Sequence, residues 1–212
     1  HFFVDASASH RRERLDYFFE DRRVAEYRSI RTRAELVTGT YFEMLGQVRL
    51  GWRENMVTNR LETGIDIFSL LPERTSGGPV AVLDMDRLDR LYFPRSGWAA
   101  QASFFNDDRT DFSRVALELR AAWPLGSYVL GARGSWVGSP RGQLPLSDAG
   151  RLGGFLNLTG FATAQLLGDD VAYAHVRAER IIGRLPLGLR GDMRLGLALE
   201  VGKVATPYAQ QK

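Results

Sequence analysis

A chain of 212 residues, 44% of them hydrophobic, can bury a full core or build a large part of one barrel, and nothing in it calls for a second domain. Zero cysteines exclude a disulfide scaffold and a thiolate metal site, and no run approaches the roughly 18 apolar residues that a spanning helix requires. The formal charge of +3 is small, and the basic residues, mostly Arg, alternate with Glu and Asp instead of forming a patch, which argues against a nucleic-acid partner.

Strand patterns begin at the first residue. His1 to Ser9 reads as a strand rather than a signal peptide, so an exported form of this protein would start further upstream. Candidate strands follow near 12–21, 24–42, 47–57, 61–71, 79–89, 97–106, 112–123, 127–137, 171–182 and 192–204, about eleven in all with the first. The stretch 24–42 is either one long tilted strand or two joined by a turn at 31–34. Along it Ile30, Ala34, Leu36 and Phe42 alternate with Arg31, Arg33, Glu35 and Tyr41. The cleanest alternation is Phe112 to Trp123, with Val115, Leu117, Leu119 and Ala121 on one face and Arg114, Ala116, Glu118 and Arg120 on the other. It recurs in Trp98, Ala100, Ala102 and Phe104, in Tyr128, Leu130, Ala132 and Trp136, and in Met193, Leu195, Leu197, Leu199 and Val201. No helical periodicity lies between these runs, so they form an antiparallel meander.

Turns are expected at Met44 to Gln47, Pro124 to Ser127 and Gly183 to Asp192. Pro94 to Gly97 and Pro124 to Gly126 read as tight connections, Asn106 to Asp111 and especially Gly138 to Gly160 as open loops; outer-membrane barrels show this asymmetry, with the short turns periplasmic. Trp52, Tyr92, Phe93, Trp98, Trp123, Tyr128 and Trp136 sit near strand ends, where rings with one apolar and one wet edge suit lipid headgroups. A soluble β-barrel would also alternate, although its outward face seldom carries so few Lys and so much Gly. The two readings part on whether the charged faces look into a lumen and the apolar faces onto lipid.

Three motifs carry further information. Asp86-Arg87-Leu88-Asp89-Arg90-Leu91-Tyr92-Phe93-Pro94-Arg95-Ser96-Gly97 combines a carboxylate able to cap a turn, a proline of fixed φ and a glycine free to take positive φ. Leu152-Gly153-Gly154-Phe155-Leu156-Asn157-Leu158-Thr159-Gly160-Phe161 lies in the longest loop; without a helix behind it a phosphate cradle is improbable, and its apolar character suits a segment folded back against a lumen wall. In Leu197-Ala198-Leu199-Glu200-Val201-Gly202-Lys203-Val204, Glu200 faces away from the leucines. Arg177 and Glu179 face the same way, opposite Ala174, Val176 and Ala178. A lumenal carboxylate beside a lumenal Arg is most simply a structural ion pair; the alternative is a latch that holds the long loop.

Together these motifs resemble the surface-antigen barrel of the outer-membrane assembly and translocation superfamily, whose members have about sixteen strands. The resemblance implies a periplasmic turn carrying Asp89, Phe93, Pro94 and Gly97, a sixth external loop whose tip is Leu158-Thr159-Gly160-Phe161, and a receiving acidic-x-Gly motif at Glu200-Val201-Gly202. Thr159 stands where assembly and two-partner secretion members carry Arg, so no tip salt bridge to Glu200 is available and a hydroxyl-to-carboxylate hydrogen bond is the most to expect. With Gly153, Gly154, Leu158 and Thr159 as written, the loop is most similar to the barrel that follows a patatin-type phospholipase domain, as is the strand Tyr27-Arg28-Ser29-Ile30-Arg31-Thr32-Arg33. The resemblance covers most of the chain and is weak before Arg23. Taking the Glu200 strand as the thirteenth makes the first strand here about the third, so the chain is expected to be a partial barrel spanning 1–212.

What the resemblance implies is an antiparallel transmembrane β-barrel of the bacterial outer membrane, an environment that a cysteine-free chain suits. It would anchor or translocate an attached N-terminal lipid acyl hydrolase, with the lipid bilayer and that domain or a secreted polypeptide as partners, and a homodimer left open. A general assembly or two-partner secretion translocator is the second reading and a soluble lipid-binding barrel the third. The chain itself shows no catalytic set: Gly134-Ser135-Trp136-Val137-Gly138 has the wrong spacing for a nucleophile elbow, Ser135 lacks a partner base, and His175 reads as a hydrogen-bonded lumenal residue. No cofactor or metal set is legible. A bulky residue at Gly160 is expected to lower secretion or folding more than one at Gly142.

Overall fold

The computed structural model describes residues 1–19, 22–43, 45–66, 73–184 and 192–205. Nine strands form one sheet in which each pairs antiparallel with its neighbours: β1 (Phe2–Phe19), β2 (Arg22–Phe42), β3 (Gly46–Gly64), β4 (Glu73–Asp86), β5 (Gly97–Asp107), β6 (Phe112–Leu125), β7 (Tyr128–Arg141), β10 (Val171–Arg184) and β11 (Asp192–Val204). Two three-residue strands, β8 (Gly150–Leu152) and β9 (Leu166–Gly168), pair as a small separate sheet inside the loop between β7 and β10. The fold is all-β and antiparallel, as the alternation predicts, and the sheet is open, with β1 and β11 as its edges.

Several strands are longer than the alternation alone predicts. The predicted strands 1–9 and 12–21 are one 18-residue strand, and 47–57 and 61–71 join through Thr58, Asn59 and Arg60 into β3. The physical reason is that His10 to Arg14 and Thr58 to Arg60 are polar but hold no Gly or Pro. They continue in register opposite β2, Ser9 against Arg33, His10 against Thr32 and Asn59 against Ser29, as an extension of the sheet. The stretch 24–42 falls within the single strand β2, without the turn at 31–34. β4 ends at Asp86 because Asp89 caps a connector, and β7 runs to Arg141, so the long loop spans 142–170 rather than beginning at Gly138. Met44 of the expected turn 44–47, residues 67–71 of the expected strand 61–71 and residues 185–191 of the expected turn 183–192 lie outside the described residues.

Alternation places two very different faces back to back. On one, apolar side chains stand open: Leu119 is 63% exposed, Leu195 69%, Leu197 84%, Leu199 76% and Val201 66%. No second layer of protein covers them among the described residues. On the other, inner face the 142–170 loop lies across the sheet. Leu167 and Ala149 join Tyr17, Ala25 and Tyr27, and Leu144 joins Val37, Val80, Phe105 and Phe112. Leu152 joins Val171 and Tyr173, with Leu158 and Leu166 packed beside them. The buried core is therefore the seam between loop and inner wall. Arg31 fixes the loop further by donating to the Ser147 carbonyl at 2.8 Å and pairing with Asp148 at 3.2 Å, while Arg114 donates to the Asp148 carbonyl at 3.0 Å.

Candidate functional site: a lumenal wall clasped from both ends

The inner face of β10 and β11 receives two segments from distant parts of the chain. From one end comes the loop tip. Leu158 N and Thr159 N both donate to Glu200 Oε2, at 2.8 and 2.7 Å, and the Thr159 hydroxyl donates to Glu200 Oε1 at 2.9 Å. Consecutive amides that converge on one oxygen form an anion-binding concavity, here filled by a side-chain carboxylate. Leu158 adopts φ 76°, a left-handed conformation that costs a branched residue roughly 1–3 kcal/mol, and the shared acceptor holds it there.

The structure thus brings Leu158, Thr159, Glu200 and Gly202 together. Gly202 makes room: a Cβ there would lie 2.8 Å from Leu158 Cδ1 and 2.9 Å from Leu152 Cδ1. Gly153 and Gly154 take φ of 120° and 105° and shape the tip from inside. Gly153 N donates to the Asn157 carbonyl at 2.7 Å and Gly154 N to the Phe161 carbonyl at 3.0 Å. The sequence reading missed the two amides because backbone donors carry no residue signature. A Cβ added at Gly160 would meet nothing within 4 Å, whereas at Gly142, with φ 66°, it would lie 2.2 Å from the Asp111 carbonyl oxygen. The steric demand thus falls on Gly142 and not on Gly160. Phe161 contributes backbone bonds to the turn and stays partly exposed.

From the other end comes the connector between β4 and β5, residues 87–96. Asp89 Oδ1 accepts the amides of Arg95 at 2.8 Å and Ser96 at 3.1 Å, Pro94 is buried, and Gly97 takes φ 101°, where a Cβ would fall 2.0 Å from the Arg87 carbonyl oxygen. Slight burial raises the Asp89 carboxyl, but the Ser96 and Arg95 amides and the Arg90 guanidinium outweigh it and hold the group below the usual carboxylate range. Folded this way, the connector reaches under β6 and β7 to the far edge. Arg90 and Arg95 donate to Asp192 Oδ2 at 2.9 and 3.1 Å, and Phe93 lies under two guanidinium groups, Arg177 at 5.1 Å and Arg194 at 5.8 Å from its ring centre. Phe93 is therefore turned inward rather than set in a ring of headgroup-level aromatics, a correction to the sequence reading. Trp98, Trp123 and Tyr128 do stand partly exposed at that end of β5, β6 and β7.

Arg177 and Glu179 belong to this second clasp and not to the loop tip. Glu179 pairs with Arg194 and, at 3.9 Å, with Arg177, and Gly131 leaves the space in which Arg177 lies, since a Cβ there would sit 2.5 Å from its Nε. The contacts at Arg177 and Glu179 are an ion-pair network, and those at Glu200 are hydrogen bonds from the loop tip. Between the clasps lies a cavity of about 960 Å³, walled by Phe93 and Arg90 at one end, by Phe155, Leu158 and Thr159 at the other, and by Arg177, Glu179 and Arg194 along the side.

His175 is buried beneath the tip, with Nδ1 3.0 Å from the Tyr173 hydroxyl, and Ser135 stands opposite Tyr173 and Glu118 in the register. No group of three His, Asp or Glu side chains able to hold a metal occurs among the described residues.

The sequence matches no family model and no curated protein sequence. The structure is similar to the crystal structure of BamA from Haemophilus ducreyi lacking POTRA domains 1–3, with a TM-score of 0.71 and 16% sequence identity over 95% of this chain and 46% of that one. The chain spans about half the length of that solved structure, and the likeness shows that its nine antiparallel strands have the arrangement of a β-barrel wall.

Proposed function

We propose that this chain is part of an outer-membrane β-barrel of the assembly and translocation kind, whose lumen is occupied by its own long loop. The observation that carries this reading is the pairing of an uncovered apolar outer face with an inner face on which a loop is held at Glu200. A soluble ligand-binding barrel places its leucines inside. Here they stand outside, and charged pairs such as Arg53 with Glu35 at 2.7 Å and Arg133 with Glu118 at 3.2 Å line the interior. The likeness to the BamA structure supports the same fold.

The finer reading, that the barrel anchors or translocates an attached patatin-type lipid acyl hydrolase, rests on the tip sequence with Thr159 in place of Arg. Two backbone amides and a hydroxyl on Glu200 do without a guanidinium, so a tip of this composition is a competent clasp. A general translocator acting on other polypeptides is the second reading, favoured by the cavity between the clasps.

Two measurements test these proposals. The full gene product that contains this chain is reconstituted in phosphatidylcholine vesicles and washed with alkaline carbonate; retention until detergent is added supports the membrane account, and release by carbonate alone overturns it. In the full gene product, deleting this barrel is expected to abolish surface exposure of a serine hydrolase upstream. An upstream region made only of periplasmic modules would favour the general translocator.

A further inference from the structure

On the outer face, three arginines from adjacent strands stand directly opposite one another: Arg14 of β1 pairs with Arg28 of β2, and Arg28 with Arg60 of β3. Like charges in opposed positions destabilise a sheet unless something neutralises them. Local carboxylates do so only in part. Glu26 lies 3.8 Å from Arg14 and is shared with Arg23, which also pairs with Asp16, while Glu62 pairs with Arg28. Arg60, and Arg12 two positions before Arg14 on β1, have no ion pair among the described residues.

The row has a definite height. Below it on the same face come Ile30 between Arg12 and Thr58, then Met56 with Thr32 and His10, then a mainly apolar field of Leu36, Trp52, Leu50, Val4 and Phe2 bordered by Glu54. From Phe2 to Arg14 is twelve residues of regular strand, about 40 Å of chain, which at a barrel tilt of 35–45° is about 30 Å of height. An apolar barrel band is about 25 Å tall. The arginines therefore stand above the apolar field on the long-loop side, at the top of a polar zone of Arg12, Thr58, His10 and Thr32 that suits the level of lipid headgroups. Their backing is firm, since the inner face of the same hairpin is packed against the loop through Tyr17, Tyr27 and the fully buried Leu167.

We infer that Arg14, Arg28 and Arg60, with Arg12, form a binding row for phosphate groups carried by lipid in the long-loop leaflet. Planar guanidiniums on opposed positions of neighbouring strands match phosphate oxygens, and the apolar field beneath accepts the acyl chains of the same molecules. This inference rests on the membrane reading above.

The test reconstitutes the full gene product that contains this chain into phosphatidylcholine vesicles that hold equal trace amounts of diphosphorylated lipid A and its fully dephosphorylated form. Flotation first establishes insertion; the chain is then extracted in mild detergent and the retained lipids are quantified. Enrichment of the phosphorylated form by about tenfold is expected, together with its loss in the Arg14→Gln, Arg28→Gln, Arg60→Gln triple variant. Equal retention of both lipids by the unaltered chain overturns the inference while leaving the membrane reading intact, and does so even if the triple variant fails to fold. Undiminished enrichment in a folded triple variant overturns it as well. Abolition of the enrichment by millimolar inorganic phosphate would assign the row to free phosphate and reject the lipid. A full gene product that does not float overturns the membrane reading itself.

Discussion

Thr159 and Glu200 meet through two bonds of different origin, the threonine hydroxyl to Oε1 at 2.9 Å and its backbone amide to Oε2 at 2.7 Å. Side-chain replacement therefore removes only part of the clasp. Thr159→Val is expected to weaken loop attachment by about 1 kcal/mol, whereas Glu200→Ala removes the acceptor of all three bonds and costs about 3 kcal/mol in this water-accessible setting. Proteolysis of the 142–170 loop reads the difference: a modest rise in cleavage rate for Thr159→Val and a rise of a hundredfold order for Glu200→Ala. Equal rates in the two variants would assign the hold to the apolar contacts of Leu158 and Leu152 instead.

Gly142 and Gly160 invite the opposite prediction from the one their sequence positions suggest. A β-carbon at 142 would press on the Asp111 carbonyl in a left-handed turn, and one at 160 would enter open space. Gly142→Val is expected to destabilise the chain by about 2 kcal/mol or more, and Gly160→Val by less than about 0.5 kcal/mol, read as denaturation midpoints in micelles.

The contrast shows what was legible in the sequence. Strand alternation is a local, period-two signal, so the direction of Leu197, Leu199 and Glu200 followed directly from residue types. Turn chemistry was equally local: Asp89, Pro94 and Gly97 do what a carboxylate, a fixed φ and a free φ do in any connector. The long-range partners were not legible. Nothing local to Phe93 announces that it will lie under Arg177 and Arg194, because that contact depends on how far the connector reaches beneath two intervening strands. The amides of Leu158 and Thr159 are invisible in sequence for a different reason, since every residue but proline has one. Strand length was misread where polar residues without Gly or Pro continued a ladder, at His10 to Arg14 and Thr58 to Arg60.

Asp89 gives a pH-dependent prediction outside the spanning strands. Its carboxyl is held below the ordinary range by the Ser96 and Arg95 amides and by Arg90, against a slight opposing effect of burial. A depressed folded value means that the group stabilises the connector above the unfolded value of about 3.9 and that this contribution is lost as pH falls through the lower folded value. The Arg95 and Ser96 amide proton resonances are therefore expected to move with a midpoint below about 3.9, and Asp89→Asn to abolish that titration. A midpoint at or above that of an unstructured aspartate would contradict the cap.

Leu197 and Ser103 separate the two faces of the wall. Leu197 is 84% exposed in the apolar row of β11, while Ser103 on β5 alternates with the outward Phe104 and faces the interior. An arginine on a lipid-facing strand position costs about 2–4 kcal/mol near the bilayer midplane, whereas a lumenal one keeps its hydration. Leu197→Arg is expected to lower the fraction of chain that inserts into phosphatidylcholine vesicles by more than about tenfold, and Ser103→Arg to change it by less than about twofold. If both substitutions were tolerated alike, the exposed leucines would not face lipid. If Ser103→Arg were the more damaging, the two faces would have to be exchanged, and the loop held at Glu200 would lie outside the barrel instead of within it.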